Sequence, residues 1–163
     1  MIRNSFKGWF AATALSAAMM APLAAQAQLI DRKAMTIGEA RNALKAAVEE
    51  ATKNNWKLVI AIVDDSARLI AFERMDGAPS SSVDIAQGKA RSAASFGRST
   101  ATLEESIKTR PALASVPFVL LQGGLPIKAN GIVIGAVGVS GATSQQDEQV
   151  AAAAIAAITG ADK

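Results

Sequence analysis

The chain has 163 residues, with 17 basic against 14 acidic side chains and no cysteine, histidine or tyrosine. Those absences exclude disulfides, thiolate nucleophiles, Ser-His-Asp triads, imidazole metal sites and ligation of haem iron by His, Cys or Tyr. Any catalysis would fall to carboxylates, Lys, Arg, Ser or Thr, a severe restriction on an enzyme, and the adjacent acidic pairs Glu49-Glu50, Asp64-Asp65 and Glu104-Glu105 point in different directions, so no metal site is expected.

Residues 1–27 read as a signal peptide. Arg3 and Lys7 supply a positive start, Gly8 to Ala25 carry no charge, and Ala25-Gln26-Ala27 gives the small-x-small pattern of a cleavage site. Cleavage after Ala27 would leave Gln28–Lys163 as one domain, periplasmic or secreted, without a stable membrane anchor. Loss of Arg3 and Lys7 brings the chain close to neutrality, and no basic stripe for nucleic acid remains.

Thr36-Ile37-Gly38-Glu39 has capping-box spacing and opens a helix that ends at Asn54-Asn55. Leu58 to Val63 and Leu69 to Met75 predict two strands of a hairpin about Asp64-Asp65-Ser66. Asp76 to Ser82 is a loop by composition. Ser81 or Ser82 is expected to cap a helix that carries small apolar residues from Val83 to Phe96 and stops at Gly97. A second capping-box pattern at Thr102-Leu103-Glu104-Glu105 predicts a shorter helix ending before Pro111. A strand is expected at Phe118 to Leu121, broken by Gly123-Gly124-Leu125-Pro126. Two more, Ile127 to Ala129 and Ile132 to Ser140, flank the hairpin signal Asn130-Gly131. Thr143 or Ser144 caps a last helix that becomes almost wholly apolar from Val150 to Ile158. This order predicts an α+β domain with an antiparallel sheet of about five strands packed with helices.

Two segments gather the residues suited to binding. Arg74, Asp76, Ser80, Ser81 and Ser82, followed by Lys89 and Arg91, would form an anion seat at a helix start; the alternative is an Arg74–Asp76 surface pair beside an ordinary capped helix. Gly123-Gly124 would expose backbone N–H groups at a pocket rim, or simply make a tight turn. The run Val150 to Ile158 would lie against a second copy in a homo-oligomer or be buried within its own monomer.

The ordered set Val63-Asp64-Asp65-Ser66-Ala67-Arg68-Leu69, Arg74-Met75-Asp76-Gly77-Ala78, Ala86-Gln87-Gly88-Lys89-Ala90, Gly123-Gly124-Leu125-Pro126-Ile127, Gly135 to Gly141 and Gln146-Asp147-Glu148 resembles the GlcG/HbpS family. The resemblance extends from about Met35 to Ile158. It implies a profilin-like sandwich, assembly into oligomers, and binding of haem or another tetrapyrrole. Association with small hydroxy acids such as glycolate, or with protein partners, are the alternatives it carries. The chain departs from the family's haem-binding pattern in having no histidine, and in placing Ala112 where a hydroxyl is expected. Met75 and Thr109 are then the weak candidates for an iron ligand.

Overall fold

The computed structural model describes residues 32–162; the segment expected to be a signal peptide, residues 1–27, lies outside them. Four strands, β1 (Val59–Asp64), β2 (Leu69–Arg74), β3 (Gly124–Ala129) and β4 (Ile132–Ser140), form one antiparallel sheet in the order β2-β1-β4-β3. The helices are α1 (Ile37–Lys53), α2 (Ser82–Phe96), α3 (Thr100–Thr109) and α4 (Ser144–Ala156).

Strand alternation divides the core between the two faces of the sheet. Leu58, Ile60, Ile62, Val137 and Val139 point to one face and are covered by α1 and α4. Val59, Ala61, Val63 and Ala136 point to the other, beneath α2. The two cores differ in kind. The first is built from large aliphatic side chains. The second is almost all alanine, because α2 lies nearly on the backbone of the sheet. A Cβ on Gly138 would collide with the carbonyl of Ala86 and with Ala90, and one on Gly124 would meet the Lys89 carbonyl at 2.6 Å. Glycine at these two positions is what lets the helix approach.

The turns follow their local chemistry. Asp64 Oδ1 accepts the N–H groups of Ser66 at 2.9 Å and Arg68 at 2.8 Å, closing the β1–β2 turn. Asn130 and Gly131 both take positive φ, 54° and 76°, as a tight hairpin requires. A bulge beside it, where Ile127 pairs with Gly135 but Lys128 with Val133, turns Ile134 into the α1–α4 core.

The sheet has four strands rather than the five expected. Phe118 to Leu121 lies in irregular chain after a 3₁₀ turn at Pro111–Ser115, and Phe118 packs edge-on against Phe96 of α2, ring centres 5.0 Å apart. A short apolar run reads alike whether it pairs as a strand or packs through its side chains. Conversely β3 begins at Gly124, three residues before its expected start, and Pro126 is tolerated because β3 is an edge strand. Two helix starts also differ. The cap of α3 is Ser99, whose hydroxyl accepts the Thr102 N–H, so the Thr102 pattern lies inside the helix. Ser81 precedes α2 in helical conformation and makes no side-chain cap bond. The full capping box is found at Thr143 and Gln146. The last helix stops at Ala156, leaving Ile158 buried just beyond its end.

Candidate functional site

Lys89, expected as an anion contact, is the most enclosed charged residue of α2, only 2% exposed. Its Nζ donates to Asp147 Oδ2 of α4 at 2.8 Å and to the Val139 carbonyl of β4 at 2.9 Å. Asp147 Oδ1 in turn accepts the Ala142 N–H at 3.1 Å. Burial raises the Asp147 pKa, with the Lys89 ammonium pulling against it. This pair joins a helix on one face of the sheet to a helix on the other. It is structural, and the lysine is not open to a ligand.

Gly123 and Gly124 lie beneath the pair rather than at a pocket rim. A Cβ on Gly123, at φ 119°, would meet Asp147 Cβ at 2.7 Å and Lys89 Nζ at 2.8 Å. The Gly124 N–H donates to Thr100 Oγ1 at 2.8 Å, and the Gln122 N–H to Glu104 Oε2 at 2.7 Å. The tight-turn alternative therefore describes this segment.

The other expected contacts are dispersed. Arg74 is exposed, and both its Nε (3.2 Å) and Nη2 (2.9 Å) donate to the Ala78 carbonyl, closing the loop after β2. No Arg74–Asp76 pair forms. Asp76, Ser80, Ser81 and Arg91 are exposed, while Ser82 is buried. Ser82 thus offers nothing to a ligand, and Arg74 would have to abandon its loop to join one. Met75 packs against the α1–α4 core, whereas Thr109 is exposed at the end of α3 with its hydroxyl on the Ser106 carbonyl. The structure does not bring these two candidate iron ligands together.

A different cleft combines positive charge with apolar walls. Phe96 and Arg98 at the end of α2, Leu103 and Ser106 of α3, and Arg110 and Leu113 just beyond enclose about 280 Å³. Both arginines are exposed, and neither is in an ion pair among the described residues. Phe118 supports the Phe96 wall. Free guanidinium groups above an aromatic and aliphatic floor suit a flat or apolar molecule bearing carboxylates. Sequence reading reached one side of this cleft, the stretch from Thr109 to Leu113 where the family's hydroxyl is expected, but not Phe96, Arg98, Leu103 or Ser106, which only folding brings beside it. Arg98 and Arg110 were legible only as charges next to Gly97 and Pro111. Among the described residues no group of three acidic, His or Cys side chains gathers as a metal site, and no helix is long and apolar enough to cross a membrane.

The sandwich and cleft define a small α+β ligand-binding module without the residues of a standard catalytic triad. Residues 35–156 match the family described as haem degrading protein HbpS-like, and the chain belongs to that family. It is 45% identical over 99 residues to protein GlcG of Escherichia coli K12, covering 60% of this chain and 74% of GlcG. A crystal structure of a double mutant of Streptomyces reticuli HbpS superposes with a TM-score of 0.76 at 35% identity, over 83% of this chain and 95% of that one. The crystal structure of a PduOC:heme complex gives 0.74 at 29% identity, over 80% and 98%.

Proposed function

We propose that this protein is an exported, non-enzymatic accessory protein that binds haem or a related tetrapyrrole in the cleft between α2 and α3. The observation that carries the reading is a pair of arginines without an ion-pair partner among the described residues, Arg98 and Arg110, over the walls of Phe96, Leu103 and Leu113. A tetrapyrrole offers a flat apolar face and carboxylate side chains, and these match the floor and the rim respectively. The family and the heme complex of the PduOC relative support the ligand class.

The residues fit the macrocycle better than they fit its iron. Among the described residues that line the cleft the one hydroxyl is that of Ser106, and the chain has no imidazole, thiolate or phenolate. Arg98 and Arg110 would hold haem by its propionates, and Phe96, Leu103 and Leu113 by its ring face, rather than through the iron. At about 280 Å³ the cleft falls just below the range of about 300–1,000 Å³ typical of small-molecule sites. A cleft of this size would enclose only part of the ring. The signal-peptide pattern of residues 1–27 supports the exported part of the reading, with the periplasm or the cell exterior as the place of action.

Titration of haemin into the protein, followed through the Soret band, tests the reading. A saturable, stoichiometric shift is expected, with a spectrum lacking the features of histidine ligation. A spectrum identical to that of free haemin at every ratio would overturn it.

A further inference from the structure

The groups that line the cleft between α2 and α3 are one-sided. Arg98 and Arg110 bring two positive charges, Phe96, Leu103 and Leu113 bring apolar surface, and no acidic side chain is among the described residues that line it. Groups suited to a propionate and to a ring face are both present. A group suited to iron is not.

The shortage extends beyond the cleft. Histidine, cysteine and tyrosine do not occur in the chain, and these are the residues that usually anchor haem iron. The described methionines, Met35 and Met75, both pack against the core on the α1–α4 face of the sheet. Helix α2, whose end forms one wall of the cleft, covers the other face. The lysines of α2 and α3 are committed as well, Lys89 to Asp147 in the buried pair and Lys108 to Glu105 at 2.6 Å. That leaves Ser106, whose Oγ donates to the Thr102 carbonyl at 2.7 Å within its own helix. A neutral alcohol is a weak iron ligand beside imidazole, thiolate or phenolate.

Charge then makes iron a handicap. A ferric centre adds one positive charge to the ring, and with no anionic protein ligand to neutralise it that charge faces two guanidinium groups. A metal-free porphyrin keeps the same flat apolar face and the same two propionates without the repelling charge. Whatever the cleft offers to haem it offers equally, or better, to the iron-free ring.

Resting on the reading of this cleft as a tetrapyrrole site, we propose that its ligand class is the iron-free porphyrin, a flat macrocycle with two carboxylates bound at least as tightly without the metal as with it. Arg98 and Arg110 take the carboxylates, Phe96, Leu103 and Leu113 take the ring, and iron adds nothing to the affinity.

Parallel titrations of the purified protein with haemin and with metal-free protoporphyrin IX test this, at concentrations where both are monomeric. The first is read at the Soret band and the second by porphyrin fluorescence. Protoporphyrin is expected to bind saturably, with an affinity equal to or above that of haemin. Its dimethyl ester, which keeps the ring and loses both charges, should bind more weakly by about tenfold or more. Arg98→Ala and Arg110→Ala should each weaken haemin and protoporphyrin by the same factor, about tenfold. Ser106→Ala, which deletes the one hydroxyl lining the cleft, should leave the ratio of the two affinities unchanged. Haemin binding about tenfold tighter than protoporphyrin, or a loss in Ser106→Ala confined to haemin, would overturn the inference and leave the haem reading standing. A dimethyl ester that binds as well as the acid would overturn it too, since the arginines would then not be holding carboxylates. If neither ring binds, the tetrapyrrole reading fails and the inference falls with it.

Discussion

Replacing Lys89 by Met is the sharpest perturbation of this fold. The substitution keeps the unbranched apolar stem in its slot and deletes only the ammonium. Asp147 is then left buried with the Ala142 N–H as its remaining donor, and the Val139 carbonyl loses its bond to Nζ. Removing one partner of a buried ion pair costs about 3–5 kcal/mol, a large share of the roughly 5–15 kcal/mol that holds a domain together. With a urea dependence of about 2 kcal/mol per M, a loss of about 4 kcal/mol moves the unfolding midpoint down by about 2 M. The pH dependence supplies a second, independent reading. Burial already raises the Asp147 pKa against the pull of Lys89, so deleting the lysine raises it further. A carboxyl whose folded pKa exceeds its unfolded value contributes stability below the unfolded value, and loses it as pH rises through the folded one. The deficit of Lys89→Met relative to wild type is therefore smallest below the ordinary aspartate value of about 3.9 and reaches its full size once pH has passed the raised value. Adding Asp147→Asn, which removes the stranded charge and keeps an acceptor for Ala142, should restore part of the loss at pH 8. Urea melts at pH 4 and pH 8 decide the matter. A deficit below about 1 kcal/mol at pH 8, less than a stranded buried charge should cost, would refute this account; so would a deficit that does not change with pH.

Other expectations rest on single features. Gly138→Ala places a Cβ against the Ala86 carbonyl and Ala90; because backbone rather than a flexible side chain must yield, the cost lies near the upper end of overpacking, about 3 kcal/mol, read from a thermal melt. Thr143→Ala removes a complete capping box and should cost about 1 kcal/mol. Ser81→Ala removes no cap bond and should stay within about 0.5 kcal/mol of wild type in the same assay. Arg98→Ala and Arg110→Ala should each weaken haemin binding about tenfold, the value of one charge-assisted hydrogen bond, with circular dichroism unchanged.

The features legible in the sequence were those specified locally. Alternation and the Asn130-Gly131 pair located the β3–β4 hairpin, and the apolar run from Leu58 located the central strand, buried along nearly its whole length. The Asp64 turn was likewise written in its own side chain. What failed was settled by tertiary packing. Phe118 to Leu121 has the composition of a strand, yet the edge it leads into, β3, is closed on its outer side by Thr100, Pro126 and Asp162, and the run packs through Phe118 onto Phe96 instead. Val150 to Ile158 read as a helix apolar all round, which left burial within the monomer and burial in an oligomer equally open. In the fold Val150, Ala151 and Ala154 face the core, while Ala152 and Ala156 remain exposed.

The site was harder to read than the fold because one sequence signal can serve two ends. A lysine on a small-residue helix and a Gly-Gly pair are what an anion-binding pocket would use. They are also what is needed to bring two backbones together and pin them across a sheet. Geometry distinguishes the two uses. Gly123 has no room for a Cβ because Asp147 and Lys89 occupy it, and Gly124 none because the Lys89 carbonyl does. Side chains that fill each other's space cannot also surround a ligand. The residues proposed here for binding, Arg98 and Arg110 over Phe96 and Leu113, are ones the fold does not consume. Their availability was invisible in the sequence, since it depends on which partners they lack.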